Sequence, residues 1–284
     1  MFPHCCHPPK KFQPVTHVIF DLDGTIIDTE TINQAAFRAI GEEYGKKFTV
    51  EMKNNIAGCV QKETARRLVE YMDLPITPEE CLETFLSFTR DKLPDCDYMP
   101  GAEKFIRHLS ENGVPIAIAT SSAEEEVSLK TSKKMDLFGL FNHIVCGSSD
   151  PEVKRGKPEP DIYLICASRF ADKPKPCKCL VFEDAYNGVL AGLAAGMQTI
   201  MIPDVNVPHE MWSKATLRLD SFEHMAPQLF GLPPYPSEGE GCTSIPEIVV
   251  DAPDEIILEG ELVFRDDLSR LDRQSIIEEN MQDS

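Results

Sequence analysis

Asp21 and Asp23 stand two residues apart, directly after an apolar run and directly before Gly24 and Thr25. On an extended segment residues i and i+2 project to the same side, so both carboxylates face one site, and the glycine then lets the chain turn sharply. Acids so placed suit a divalent cation, and they also suit a nucleophile beside a separate acid–base group. Three further sets follow along the chain. Thr120, Ser121 and Ser122 offer hydroxyls and backbone N–H groups ahead of a helix beginning near Ala123, which makes an anion site. Lys157, between Gly156 and Pro158, is placed to neutralise a phosphate. Glu183 and Asp184, with Asn187 and Gly188 after them, end another apolar run, where acids are costly to desolvate unless paired or metal-bound. Each set alone is ordinary: an Asp-Gly turn, a helix cap, a surface lysine. Together, in the order acid pair, hydroxyl, lysine, acid pair, they specify one site.

The elements that must position these groups alternate along the chain. Strand-like runs fall at 15–20, 114–120, 144–146, 180–182 and 199–202, and amphipathic segments between them at 102–111, 124–137, 160–170 and 186–195. This β-α-β-α alternation predicts an α/β fold with a doubly wound, mostly parallel sheet, in which ligands bind outside the carboxyl ends of the strands. Between Thr31 and about Lys92 the pattern breaks into helical stretches at 32–44, 61–72 and 78–92, the last opened by Thr77-Pro78-Glu79-Glu80, a strong helix-start signal. The expected organisation is a discontinuous core (14–28 and 100–231), an inserted helical cap (29–99) and a tail (232–284).

Composition narrows the function classes. The formal charge of −19, from 47 acidic and 28 basic residues, argues against nucleic acid as a partner, because phosphate backbones need clustered Lys and Arg. No apolar run reaches the ~18 residues that span a bilayer, and the first residues lack the apolar core of a secretory signal. The ten cysteines then read as reduced thiols of a cytoplasmic protein. His4, Cys5, Cys6 and His7 stand too close together to close a tetrahedral zinc site, and Cys177 and Cys179 are spaced below the zinc-finger range. Residues 232–284 hold 14 acids against three arginines and open on a Pro-, Ser-, Gly- and Glu-rich stretch, which predicts a mostly disordered acidic tail. Within it Phe264, Leu268 and Leu271 have helical spacing suited to a weak protein partner.

The four sets, DLDGT (21–25), AIATSS (117–122), RGKPEPDIY (155–163) and VFEDAYNGV (181–189), resemble the motifs of the haloacid dehalogenase-like hydrolase superfamily, in its subfamily with a helical cap. VTHVIFDLDGTIIDTE, MPGAEKFIRHL, DPEVKRGKPEPDIY, KCLVFEDAYNG and PQLFGLPPY are similar, more closely, to the pseudouridine 5′-phosphatase family of animals, over about residues 14–235. The N-terminal extension and the tail beyond Tyr235 depart from that pattern. The resemblance implies a Mg²⁺-dependent phosphatase with Asp21 as nucleophile and Asp23 as acid and base. It implies Mg²⁺ held by the Asp21 carboxylate, the Asp23 backbone carbonyl and Asp184, with Glu183 behind them. It also implies that Thr120, the Ser121 amide and Lys157 hold the phosphate of a small phosphorylated metabolite, pseudouridine 5′-monophosphate first. Sugar phosphates, glycerol phosphate and a phosphomutase reaction share every core motif; a non-catalytic binding protein would have lost one. The loop Ala57–Lys62 and its Gln61 and Lys62 are the candidate cap contacts to substrate.

Overall fold

The computed structural model describes residues 12–56, 59, 61–204, 207–236, 255–258 and 261–264. Six parallel strands form one sheet: β1 (His17–Phe20), β2 (Ile116–Thr120), β3 (Ile144–Cys146), β4 (Cys179–Glu183), β5 (Gln198–Met201) and β6 (Leu217–Arg218). Their spatial order is β3-β2-β1-β4-β5-β6. From β1 the chain first builds outward through β2 and β3, then returns to the other side of β1 with β4. The order therefore reverses between β1 and β4, and the crevice beyond their carboxyl ends is where such a sheet takes its ligand.

The register fixes what meets there. Phe20 lies opposite Phe182 on β4, and the Asp21 amide donates to the Phe182 carbonyl at 2.9 Å. Asp21 and Glu183 thus leave the sheet side by side. All four residues of β1 and all five of β4 are buried, as expected for parallel strands covered on both faces. On one face Phe20, Phe105, Phe182 and Phe222 form an aromatic cluster with ring centroids 5.1–6.1 Å apart. On the other, Ile19, Ala119, Val145 and Val181 pack against Ile162, Tyr163, Cys166 and Ala191.

The interval between β1 and β2 holds α1 (Thr29–Glu43), α2 (Val50–Ile56), α3 (Gln61–Met72), α4 (Pro78–Arg90) and α5 (Ala102–Glu111). The first four share a core of their own, with Phe37, Ile40, Leu68, Met72 and Cys81 at its centre. Helix α4 starts on a capping box: the Thr77 side chain accepts from the Glu80 amide, and Glu80 accepts from the Thr77 amide. The two connections between these helices and the sheet run beside each other. Ile27 bridges Tyr98 in antiparallel fashion, the Met99 amide donates to Ile26 O and the Asp28 amide to Asp97 O, both at 2.9 Å.

Beyond β2 lie α6 (Glu124–Thr131), α7 (Met135–Phe138), α8 (Asp161–Arg169) and α9 (Tyr186–Ala194). The single helix expected over 124–137 is broken in two. Thr131 and Ser132 turn their hydroxyls back onto the carbonyls of Val127 and Leu129, at 2.8 Å each, and so compete with the helical ladder. Helix α2 and the two-residue β6 were not expected from the sequence, being too short to show a period.

Residues 234–284 form a separate unit, of which the structure describes one antiparallel pair, β7 (Glu255–Leu258) and β8 (Glu261–Phe264). Phe264, read as the start of a helical stripe, is thus in a strand, as suits the aliphatic and β-branched runs flanking Gly260. Leu268, Leu271 and the rest of the expected disordered tail lie outside the described residues. No helix among the described residues is long and apolar enough to cross a membrane.

Candidate active site

The floor of the crevice is a buried charge cluster. Lys157 Nζ lies 2.5 Å from Asp21 Oδ1, 2.7 Å from Glu183 Oε1 and 3.1 Å from the Ala119 carbonyl. Lysine and both carboxylates are less than a tenth exposed. An ammonium in such a place is held by its partners, and the two carboxylates raise the affinity of Lys157 for its proton against the effect of burial. Tyr163, on α8, donates its hydroxyl to Glu183 Oε1 as well, and the Ala185 amide lies 3.4 Å from Oε2. Glu183 is therefore engaged on both oxygens. Gly188 makes room for it, since a Cβ there would lie 1.8 Å from Oε1.

Asp184 completes the floor. Carboxylate oxygens of Asp21, Glu183 and Asp184 all lie within 4.8 Å of one another, and the Thr25 hydroxyl is 3.5 Å from Asp184. At Gly24, with φ +77°, a Cβ would meet Asp184 Oδ2 at 2.3 Å; only glycine allows both that turn and that approach. Burial pushes the Asp21 carboxyl up to about 7, with Glu183 and Asp23 adding to it and Lys157 opposing. Burial, then Asp21 and Glu183, likewise hold the Asp184 carboxyl well above the usual range. Three hard oxygen donors crowded around one lysine are short of positive charge, and that donor set fits Mg²⁺.

Asp23 sits in the opposite environment. Its Oδ1 accepts from Lys130 Nζ at 2.7 Å and from the Thr29 hydroxyl at 2.8 Å. Its Oδ2 accepts from the Ser122 hydroxyl at 2.8 Å, with the Thr120 hydroxyl at 3.5 Å. Burial works to raise this carboxyl, but Lys130 and the hydroxyl donors outweigh it and hold Asp23 below the ordinary carboxylate range. Its side chain is turned to these donors.

Thr120 is buried at the end of β2, and its Oγ1 accepts from the Ser122 amide at 3.1 Å. Ser121 is exposed beside it, its carbonyl taken by the Ser148 hydroxyl. Of the six residues singled out by the four motifs, Asp21 and Asp184 cluster with Glu183, Lys157 bonds to Asp21, Asp23 and Thr120 come within reach of each other at the ends of β1 and β2, and Ser121 follows Thr120. Lys130 and Tyr163 join these groups: Lys130 lies outside the four motifs, and Tyr163 ends the third (155–163) without being singled out for its chemistry. Their signal was faint: Lys130 falls three residues after Val127, on the face of α6 that turns inward, and Tyr163 sits in an apolar helix face where a hydroxyl needs a partner. Across the crevice, Gln61 on α3 donates to Glu126, and Lys53 on α2 lies 2.8 Å from Asp204. Ala57, Gly58 and Val60 of the expected contact loop lie outside the described residues.

A family model for haloacid dehalogenase-like hydrolases matches residues 18–202. A Drosophila melanogaster protein described as a probable pseudouridine-5′-phosphatase is 46% identical over 226 residues, covering 80% of this chain and 98% of that one. (DL)-glycerol-3-phosphatase 2 of Arabidopsis thaliana is 39% identical, over 78% of this chain and 93% of its own. Among solved structures, a HAD family hydrolase from Deinococcus radiodurans with bound phosphate and sodium superposes with a TM-score of 0.64 at 26% identity, covering 78% and 99% of the two chains. A β-phosphoglucomutase from Clostridium difficile shares the fold, with a TM-score of 0.57 at 22% identity over 74% and 93%.

Proposed function

The chain belongs to the haloacid dehalogenase-like hydrolase family, and within it we propose a Mg²⁺-dependent phosphomonoesterase that hydrolyses pseudouridine 5′-monophosphate through an aspartyl-phosphate on Asp21. The observation that carries the reaction type is the pairing of two unlike aspartates at one strand end: Asp21 against Lys157, Asp23 inside a ring of donors. The substrate rests on the 46% identity to the fly relative over nearly its whole length.

Asp21 attacks phosphorus with one carboxylate oxygen as the bond to the leaving oxygen breaks. Asp23, held below the ordinary carboxylate range in the free protein, takes up a proton as the negatively charged phosphate enters the site, gives it to the departing alcohol and becomes a carboxylate again. It then takes a proton from water, whose oxygen attacks the aspartyl-phosphate, releasing phosphate and restoring both aspartates. Dividing one displacement between a nucleophile and a separate acid–base group lowers both barriers. Lys157, the Thr120 hydroxyl and the Ser121 amide hold the peripheral phosphate oxygens as charge shifts among them. Asp21, Asp184 and the Asp23 backbone carbonyl would hold Mg²⁺, which would supply the positive charge that lets a carboxylate approach a phosphate. Helices α1–α4, carried on their paired connections, close over the crevice and limit water to the attacking molecule.

The test is Mg²⁺-dependent phosphate release from pseudouridine 5′-monophosphate beside uridine monophosphate, glycerol 3-phosphate, 2-deoxyglucose 6-phosphate and glucose 1-phosphate. A kcat/KM for the pseudouridine ester at least tenfold above the rest is expected. A preference for glycerol 3-phosphate, the reading favoured by the 39% identical plant relative, would replace the substrate and keep the chemistry. Isomerisation of glucose 1-phosphate without phosphate release would overturn the hydrolase reading.

A further inference from the structure

We propose that Lys130 is a positioning residue that fixes the orientation of the Asp23 carboxyl for proton delivery to the leaving alcohol. The proposal rests on the reading of Asp23 as the acid and base of a phosphatase. Lys130 lies on α6, outside all four motifs, with a side chain only 9% exposed. A buried ammonium is kept where its partners compensate its lost hydration. Those partners are Asp23 Oδ1 at 2.7 Å and the Ser122 hydroxyl at 2.8 Å, and Ser122 in turn donates to Asp23 Oδ2 at 2.8 Å. The lysine therefore reaches both oxygens of one carboxyl, the first directly and the second through a hydroxyl.

This two-point hold fixes the plane of the carboxyl as well as its position. The donors also differ in kind: an ammonium only donates, whereas a serine hydroxyl can rotate and accept. Oδ1 is thus always occupied by a Lys130 N–H, with Thr29 beside it at 2.8 Å. Oδ2 is the oxygen that can carry the transferable proton. As Asp21 bonds to phosphorus and the ester bond breaks, the proton on Oδ2 passes to the departing oxygen. Without Lys130 the carboxyl is free to rotate between Thr29 and Ser122, and the proton is delivered in fewer encounters.

Leaving groups separate this role from a structural one. A primary alkoxide must be protonated as it departs, whereas p-nitrophenolate leaves without help. The experiment measures kcat/KM, which reports phosphoryl transfer to Asp21, for pseudouridine 5′-monophosphate, glycerol 3-phosphate and p-nitrophenyl phosphate. It uses wild type, Lys130→Met, Ser122→Ala and Asp23→Asn. Because each variant's two ester classes are read on one preparation, their ratio is unaffected by any loss of folded protein. Lys130→Met is expected to lose about 100-fold on the alkyl esters, within the range of general acid catalysis, and less than about threefold on p-nitrophenyl phosphate. Ser122→Ala should show the same selectivity at smaller size. Equal losses on both ester classes by Lys130→Met, with Asp23→Asn selective, would overturn the positioning role. Absence of selectivity in Asp23→Asn, or no Mg²⁺-dependent release by wild type from any of the esters, would instead overturn the underlying reading.

Discussion

The floor of the crevice and the helices across it are held by different kinds of contact. On the floor, Lys157 and Glu183 are almost wholly enclosed, and Asp21, Lys157, Glu183 and Tyr163 are bonded to one another from four separate segments of the chain. Across the crevice, Lys53 of α2 meets Asp204 and Gln61 of α3 meets Glu126, both at exposed positions, with Asp204 nearly half exposed. Buried, over-determined groups keep their geometry through a catalytic cycle; lone contacts in water are made and broken at little cost. The division suits a rigid chemical floor beneath a movable cover.

Substitutions on the two sides should therefore differ in size and in kind. The largest effect is expected at Asp21→Asn, with turnover reduced roughly 10⁴-fold or more, as for loss of a nucleophile, while substrate affinity is largely kept. Rapid-quench detection of phosphoenzyme and equilibrium binding measure the two halves of that statement; substantial remaining turnover would reject the covalent route. Next comes Lys157→Met, which leaves two buried carboxylates facing each other. Breaking a buried pair costs about 3–5 kcal/mol, to be read from urea unfolding, and Mg²⁺ should restore more stability to this variant than to wild type.

Gly24→Ala forces a side chain into a left-handed turn and against Asp184. A loss of about 1–3 kcal/mol is expected, together with a higher Mg²⁺ concentration for half-maximal activity; an unchanged metal requirement would separate Asp184 from the metal. On the cover, Lys53→Ala and Gln61→Ala should change stability by less than about 1 kcal/mol and act on KM more than on kcat. If either lowered kcat as much as Lys157→Met does, the contrast between floor and cover would be lost. Removal of residues 237–284 is expected to matter least, with kcat/KM within about twofold of wild type, because all four motifs end by Val189.

The same contrast governs what the sequence made legible. Asp21, Asp23, Thr120, Lys157, Glu183 and Asp184 could be picked out because each follows an apolar run or a turn, and strand ends are where a parallel sheet gathers ligands. Lys130 and Tyr163 could not, since a lysine beside Thr131 and Ser132 reads as solvated and a tyrosine in an apolar helix reads as core. Only the three-dimensional fact that α6 and α8 turn those positions onto Asp23 and Glu183 reveals them. The break between α6 and α7 depended on side-chain hydroxyls bonding back to their own helix, a local competition that hydrophobic spacing does not register. The helices α1–α4 were legible as elements, but which of their residues meet a substrate was not, because polar residues at helix starts look alike whether they face water or a ligand.

The pairing of Ile27 with Tyr98 has a consequence for how the molecule assembles. Strands β1 and β2 are neighbours in the sheet, yet roughly a hundred residues separate them along the chain, a costly loop to close. Helices α1–α4 have their own core and bring Ile27 beside Tyr98. Once they have formed, the loop left to close is roughly a quarter as long, which lowers its entropic cost by about 1 kcal/mol. The inserted helices act, in this sense, as a splint that shortens the search of the first strand for its partner.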